Sequence, residues 1–268
     1  MNTSFGRFAG ILTVVLASPV TGGPAVSISE GGKAACVVVV SAEARAPERH
    51  AAAELVDFLR QITGADIPLA HERHAGRSNL LVGPRAAQFA EPGFTAGEYG
   101  TEGLVIRTVD RDLILAGGEP RGTLYAVYTF LEEVLGCRWY TPHAHVIPSS
   151  PTLSLPPTDI VQRPSFEYRE VFYSPAFDAD WAVRNQCNGQ HIKVDSERGG
   201  KITYGRWCHT FPEIIRDDAY FEAHPEYFSW VDGKRISSSQ HSGQICLTNP
   251  DVLKIATDKV FAWIAENQ

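Results

Sequence analysis

Two rhythms of apolar and polar positions alternate along the first half of the chain. Residues 34–42, "AACVVVVSA", are a nearly unbroken apolar, valine-rich run, short enough for a buried strand. Leu55, Phe58, Leu59 and Ile62 then recur at intervals of three and four, which predicts a helix with one apolar face. Pro47 suits its first turn and Gly64 its end. "NLLVG", residues 79–83, predicts a second short strand. "GLVIRTVDRDLILAGG" predicts a hairpin with arms at 105–109 and 113–116 and "DRD" as the turn. Leu124, Val127, Tyr128, Leu131 and Leu135 mark an apolar stripe on a helix over 123–135, which Gly136 closes. Strand, helix, strand, hairpin, helix is the order of an α/β domain in which helices cover a mixed sheet.

The pattern then breaks. Residues 141–166 hold six prolines and little periodicity, so 143–165 read as an extended Pro-rich linker with one short strand at "TLSL". After Pro164 the rhythm restarts. A strand is expected at 166–173, a helix at 178–189 and a strand at 190–194. Short helical turns and a hairpin follow over 209–235, then a strand and a helix over 243–266. Asn249 is the cap candidate of that last helix, with Pro250 as its first residue. Strand followed by helix, repeated, opens either a barrel or a doubly wound sheet.

Composition adds limits. The 268 residues are 44% hydrophobic and 21% charged, enough for one large core or two smaller ones. The net charge of −7 comes with no basic stripe, so a nucleic-acid partner is not expected. Residues 8–20 form an apolar stretch after Arg7, too short to span a bilayer but suited to the core of a signal peptide over 1–25; a buried first strand is the competing reading. A secreted or periplasmic protein without a membrane span is the expectation. The five cysteines, Cys36, Cys137, Cys187, Cys208 and Cys246, contain no CxxC pair, and buried free thiols are expected for most of them. Cys208, His209, His224 and Cys246 match no structural zinc spacing, and no metal or cofactor is implied.

Two sets of motifs carry a resemblance. "AAAELVDFLRQITGADIPL" with "EGLVIRTVDRDLILAGGEPRGTLYAVYTFLEEVLGCRWYTP" resembles the N-terminal domain of α-glucuronidases (glycoside hydrolase family 67) and β-hexosaminidases (family 20). "FEYRE", "WAVRNQCNG", "CHTF", "HPEYFSWVDGKR" and "QICLTNPDV" are similar to the domain of unknown function 4838, a glycosidase-like family of exported proteins. The resemblance implies a bracing α/β domain over 34–142 and then the first part of a (β/α)8 barrel over 166–268. A whole barrel takes about 250 residues. Only 104 follow Pro164 (268 − 164), so the barrel is expected to be truncated.

Glycoside hydrolysis needs two carboxyl groups about the sugar. In the resembling families these come from later strands, so they are expected beyond residue 268. Glu167, Glu170, Asp178 and Asp180 read as solvated or structural. The resemblance puts Arg169 where β-hexosaminidases grip sugar hydroxyls, with an ion pair inside the protein as the alternative. Asn185 and Asn188 offer amides to hydroxyls, although Asn188-Gly189 is also a turn signal. Trp207 and Phe211 beside His209 form either a stacking wall for a sugar face or a packed aromatic loop. Arg121 in "GGEPRG" reads as a packed helix-start residue and His224 as a turn anchor. The expected partner is an oligo- or polysaccharide, bound by a glycoside-hydrolase-like protein or by a non-catalytic carbohydrate-binding or scaffolding protein. A doubly wound ligand-binding protein is the third reading.

Overall fold

The computed structural model describes residues 25–240 and 243–266. The expected signal peptide, all but its last residue, lies outside the described residues. The chain divides into two units, Met1–Ile202 and Thr203–Gln268.

In the first unit the order is β1 (Val26–Glu30), β2 (Lys33–Ala34), β3 (Cys36–Val40), α1 (Ala46–Thr63), β4 (Leu69–Ala70), β5 (Ser78–Val82), α2 (Pro84–Ala87), β6 (Leu104–Val109), β7 (Asp112–Gly117), α3 (Gly122–Thr129), β8 (Arg138–Thr141), β9 (Ala144–Val146), β10 (Leu153–Leu155), β11 (Asp159–Gln162) and α4 (Ala179–Arg184). Six strands make one mixed sheet in the order β11-β6-β7-β5-β3-β4. β3 pairs in parallel with β4 and β5, and β5 with β7, while β6 runs antiparallel to β7 and β11. β3 is apolar at every position because both of its faces are covered. Val38 and Val40 enter the core beneath α1, and Val37 and Val39 enter the core beneath α2.

α1 buries Leu55, Phe58, Leu59 and Ile62 as the spacing predicts, and ends on left-handed Gly64, φ 72°. The expected stripe on α3 is corrected. All eight of its residues are buried, because α3 packs between β6–β7, α1 and α4. It runs on as a π-turn, Phe130–Val134, and Gly136 at φ 83° follows. At "GGEPRG" two backbone segments cross. A Cβ on Gly118 would lie 1.6 Å from the Gly100 carbonyl oxygen, and one on Gly117 would lie 2.3 Å from that of Gly103.

Three sequence expectations differ from the structure. First, the stretch 143–165 carries strands: β9 pairs with β8, β10 with β1 and β11 with β6. Its prolines fall between these strands, not within them, so no ladder bond is lost. Second, residues 166–173 form no strand. Side chains take the backbone groups a ladder would use. The Arg169 amide donates to Asn188 Oδ1 (2.8 Å), and the Phe166 carbonyl accepts from the Arg169 guanidinium (2.7 Å). Third, 190–194 form no strand either. His191 N donates to Glu170 (2.6 Å), Gln190 N to the Tyr168 hydroxyl (3.2 Å), and Lys201 caps the Gln190 carbonyl (2.7 Å). The helix expected at 178–189 is the shorter α4, with the Asp178 carboxylate accepting from Trp181 N at its start.

The second unit holds α5 (Phe211–Ile214), α6 (Asp217–Tyr220), a hairpin of β12 (Trp230–Val231) and β13 (Lys234–Arg235), and α7 (Pro250–Glu266). Ile215, Tyr227, Phe228, Ile245 and Val252 form its core. Asn249 caps α7, its Oδ1 accepting from Asp251 N at 2.8 Å. The strand expected ahead of α7 is reduced to one bridge between Phe228 and Ile245. Among the described residues, strand pairing after Gln162 is antiparallel or a single bridge, so the parallel strands of a barrel are not formed here. All five cysteines are free, with Cys36, Cys137 and Cys187 buried. No described helix is long and apolar enough to cross a membrane.

Candidate functional site

Arg169 sits in the unpaired stretch after Pro164, held against Glu102, which lies just before β6 at a left-handed φ of 59°. A guanidinium has five N–H donors, and here each has an acceptor. Nε donates to the Gln186 carbonyl (2.8 Å), Nη1 to those of Phe166 (2.7 Å) and Glu167 (3.4 Å), and Nη2 to Glu102 and the Tyr125 hydroxyl (3.4 Å). Burial opposes the charge of Arg169, yet the Glu102 carboxylate and Tyr125 outweigh it and hold its pKa above the usual value. Burial, and then the Glu102 charge, push the Tyr125 hydroxyl up to about 12. Glu102 also takes the Arg121 guanidinium, whose other end caps the Gly199 carbonyl at 2.7 Å. Arg121 is thus the packed residue expected. A cleft of about 360 Å³ borders the cluster, lined by Thr101, Phe166 and Glu167 among others.

Asn188 is fully buried and completes the cluster. Its amide donates to Glu102 (3.2 Å) and to the Glu167 carbonyl (2.8 Å). Asn185 ends α4 and donates to the Trp181 carbonyl at 2.9 Å. The polar atoms of Arg169 and Asn188 are therefore engaged within the protein, Arg169 in the ion pair of its alternative reading, whereas Asn185 is exposed and commits only its amide NH2, to the Trp181 carbonyl.

The second unit offers a different surface. His209, Thr210, Phe211, Ser239, Gln240 and Gln244 line a cavity of about 430 Å³, with Pro212, Ser238 and Gly243. His209 is exposed and left-handed at φ 58°, which turns the chain into α5. Phe211 opens α5 and is 36% exposed. The opposite wall is the loop after β13. It is pinned where Gly243 N donates to the Gln240 carbonyl (2.8 Å), and a Cβ on Gly243 would lie 1.8 Å from the Ser237 carbonyl oxygen. Ser237 donates to the Asp217 carboxylate and lies 2.8 Å from the Ser239 hydroxyl. These hydroxyls hold the Asp217 carboxyl below its ordinary range. Ser238 Oγ is buried with no hydrogen-bond partner among the described residues. Trp207 does not line this cavity; its ring lies 5.1 Å from that of Tyr204. His224 stacks on Tyr227 with centroids 4.7 Å apart, as a turn anchor does.

Of the residues expected to bind, His209 and its neighbour Phe211 thus share a cavity. Gln240, Gln244 and Ser239 escape a reading of the sequence, because "SSSQHSGQ" has the composition of any solvated loop. Glu102 escapes it too. A glutamate followed by glycine shows no sign of being the acceptor for two arginines remote in sequence.

Comparisons with known proteins match both halves of the chain. Residues 29–130 match the family model described as Glycosyl hydrolase family 67 N-terminus, and residues 139–268 match the one described as Domain of unknown function (DUF4838). The sequence matches no curated protein. Solved structures similar to it include a family GH115 4-O-methyl-α-glucuronidase with specificity for decorated arabinogalactans. That match has 18% identity and a TM-score of 0.42, over 52% of this chain and 18% of the other. A second is the Streptomyces plicatus N-acetyl-β-hexosaminidase, at 17% identity and a TM-score of 0.41, over 91% and 55%. A third is the GH20 β-N-acetylhexosaminidase from Streptomyces coelicolor A3(2), at 15% identity and a TM-score of 0.42, over 92% and 56%. The chain thus spans under a fifth of the first of these and slightly more than half of the others.

Proposed function

Starting from a chain that carries a glycosyl hydrolase family 67 N-terminus followed by a DUF4838 segment, we propose that it belongs to an exported, glycoside-hydrolase-like protein that handles polysaccharide-derived sugars. Its saccharide contact is the cavity of the second unit. The observation that carries this is the lining of that cavity: two amides, hydroxyls, an imidazole and an exposed aromatic ring. Sugars present hydroxyls around apolar faces, and such a set answers both.

Binding, not bond cleavage, is the role assigned to this chain. Hydrolysis needs a pair of carboxyl groups flanking the scissile bond, and no carboxylate is among the described lining residues. Asp217 accepts from the Ser237 hydroxyl, which lies 2.8 Å from that of the lining Ser239. The first unit supplies a brace, as the engagement of Arg169 and Asn188 with Glu102 supports.

The test is a titration of the 268-residue protein with neutral and acidic oligosaccharides, followed by amide NMR shifts, beside a panel of aryl-glycosides. Shifts confined to 209–212 and 237–244, lost in Phe211→Ala, with no aryl-glycoside turnover, are expected. Turnover by the isolated chain would overturn the binding-only role, and saccharide shifts confined to the first unit would overturn the site.

A further inference from the structure

Another cavity, of about 730 Å³, lies within the first unit and has no part in the saccharide reading. Small-molecule sites span roughly 300–1,000 Å³. The β8–β9 turn contributes Pro142 and His143, the segment entering α4 contributes Pro175, Phe177 and Asp178, and Lys193 completes the wall. The two prolines and the half-buried Phe177 give the cavity an apolar side.

This wall holds one charge of each sign, and they do not meet. The Lys193 amide donates to the Phe177 carbonyl at 3.2 Å, which roots the lysine next to the backbone of Asp178. Among the described residues no ion pair joins the two side chains, and the Lys193 ammonium has no hydrogen-bond partner. Asp178 commits Oδ1 to the Trp181 amide (2.8 Å) as the cap of α4, which leaves Oδ2 available. The acids two positions beyond each of them, Asp180 and Asp195, are both held by Arg198, at 2.6 and 2.9 Å. His143, exposed, is the remaining titratable group among the described lining residues. A carboxylate alone would meet Lys193 but also face Asp178. An ammonium alone would meet Asp178 but also face Lys193. An uncharged ligand would answer neither.

We propose that this cavity binds a small zwitterion, an α-amino acid with an apolar side chain. Its carboxylate meets the Lys193 ammonium, its ammonium meets Asp178 Oδ2, and its side chain lies against Phe177 and the two prolines. Charges of both signs on one wall fix the ligand's orientation, and each repels the analogue that carries only the like charge.

Phenylalanine, 3-phenylpropionate and 2-phenylethylamine are matched probes: the second lacks the ammonium and the third lacks the carboxylate. Each is titrated into the full 268-residue chain at pH 7 with amide NMR readout. Phenylalanine is expected to shift amides within 141–143, 174–179 and at 193, and to bind at least about tenfold more tightly than either analogue. Lys193→Gln should weaken phenylalanine binding without weakening that of phenylethylamine. Asp178→Asn should weaken phenylalanine binding without weakening that of phenylpropionate. The thermal midpoint should hold in Asp178→Asn, because asparagine caps a helix as well as aspartate does. Either analogue binding as tightly as phenylalanine would overturn the zwitterion. Phenylalanine affinity unchanged in both variants would overturn the roles of the two charges. Shifts at these positions from none of the three probes would overturn the site, whatever saccharides do at the second unit.

Discussion

Arg169 donates to Glu102 from 67 positions away in sequence, a half-buried guanidinium on a carboxylate whose side chain is only 3% exposed. Arg121 shares the same carboxylate. One acceptor thus fastens the entry to β6, the entry to α3 and the segment after Pro164. Removing it leaves two guanidinium groups without their counter-ion. Glu102→Ala is expected to destabilise the protein by about 3–5 kcal/mol in urea denaturation. A loss below about 1 kcal/mol would mean that the cluster is not a lock.

The crossing of backbone at "GGEPRG" makes a sharper demand. Gly118→Ala places a methyl group 1.6 Å from the Gly100 carbonyl oxygen, which only backbone movement can relieve. Overpacking of this kind costs about 1–3 kcal/mol or more. The same change at Gly93, where a Cβ meets nothing within 4 Å, is the control. Comparable thermal midpoints for the two variants would contradict the close approach.

His209 tests whether strain and binding coincide. A non-glycine residue at φ 58° carries a steric penalty of about 1–2 kcal/mol that glycine lacks. His209→Gly is therefore expected to fold at least as stably as the parent while binding saccharide more weakly. Unchanged affinity would free the imidazole from any part in the site.

Two pH limits follow from buried and hydrogen-bonded groups. Burial first, then the Glu102 charge, raise Tyr125 from 10.0 to about 12, and burial first, then Glu54, raise Tyr128 well above its ordinary value. The folded state keeps these phenols protonated where the unfolded chain does not. Their contribution is complete below pH 10 and drains away above it. Glu170 moves the other way. Burial opposes its charge, but hydrogen bonds from Tyr168 and His191 prevail and hold it below its usual 4.5. That stabilisation is present above the ordinary carboxylate range and is lost as pH falls below it. Urea midpoints measured from pH 3 to 11 are expected to form a plateau falling at both ends. Tyr128→Phe should soften the alkaline fall, and an unchanged alkaline limb would count against the burial of that hydroxyl.

Local signals settled much of the first unit. The run at Cys36–Val40 could satisfy its side chains only between two apolar layers. The three-and-four spacing of Leu55, Phe58, Leu59 and Ile62 allowed one buried face, and Gly64 supplied the left-handed stop. The arms around Asp110 could close only as a hairpin. In each case the deciding interactions lie within a few residues, or act through burial alone, which composition reports.

Tertiary structure decided the rest. "FEYREVFY" has the composition of a strand, yet Asn188 and the Arg169 guanidinium take its backbone groups, and pairing partners remote in sequence leave no local mark. Arg169 pairs with Glu102 for the same reason: position 102 gives no sign of a charge waiting at position 169. The cavity of the second unit joins 209–212, at the start of α5, to Ser238, Ser239, Gln240, Gly243 and Gln244 after β13, polar residues that look solvated until the fold sets them face to face. Sequence by itself determined which segments must be covered by apolar neighbours. Which polar groups meet depended on the path of the chain through space, because hydrogen bonds and ion pairs are directional and short, whereas burial is neither.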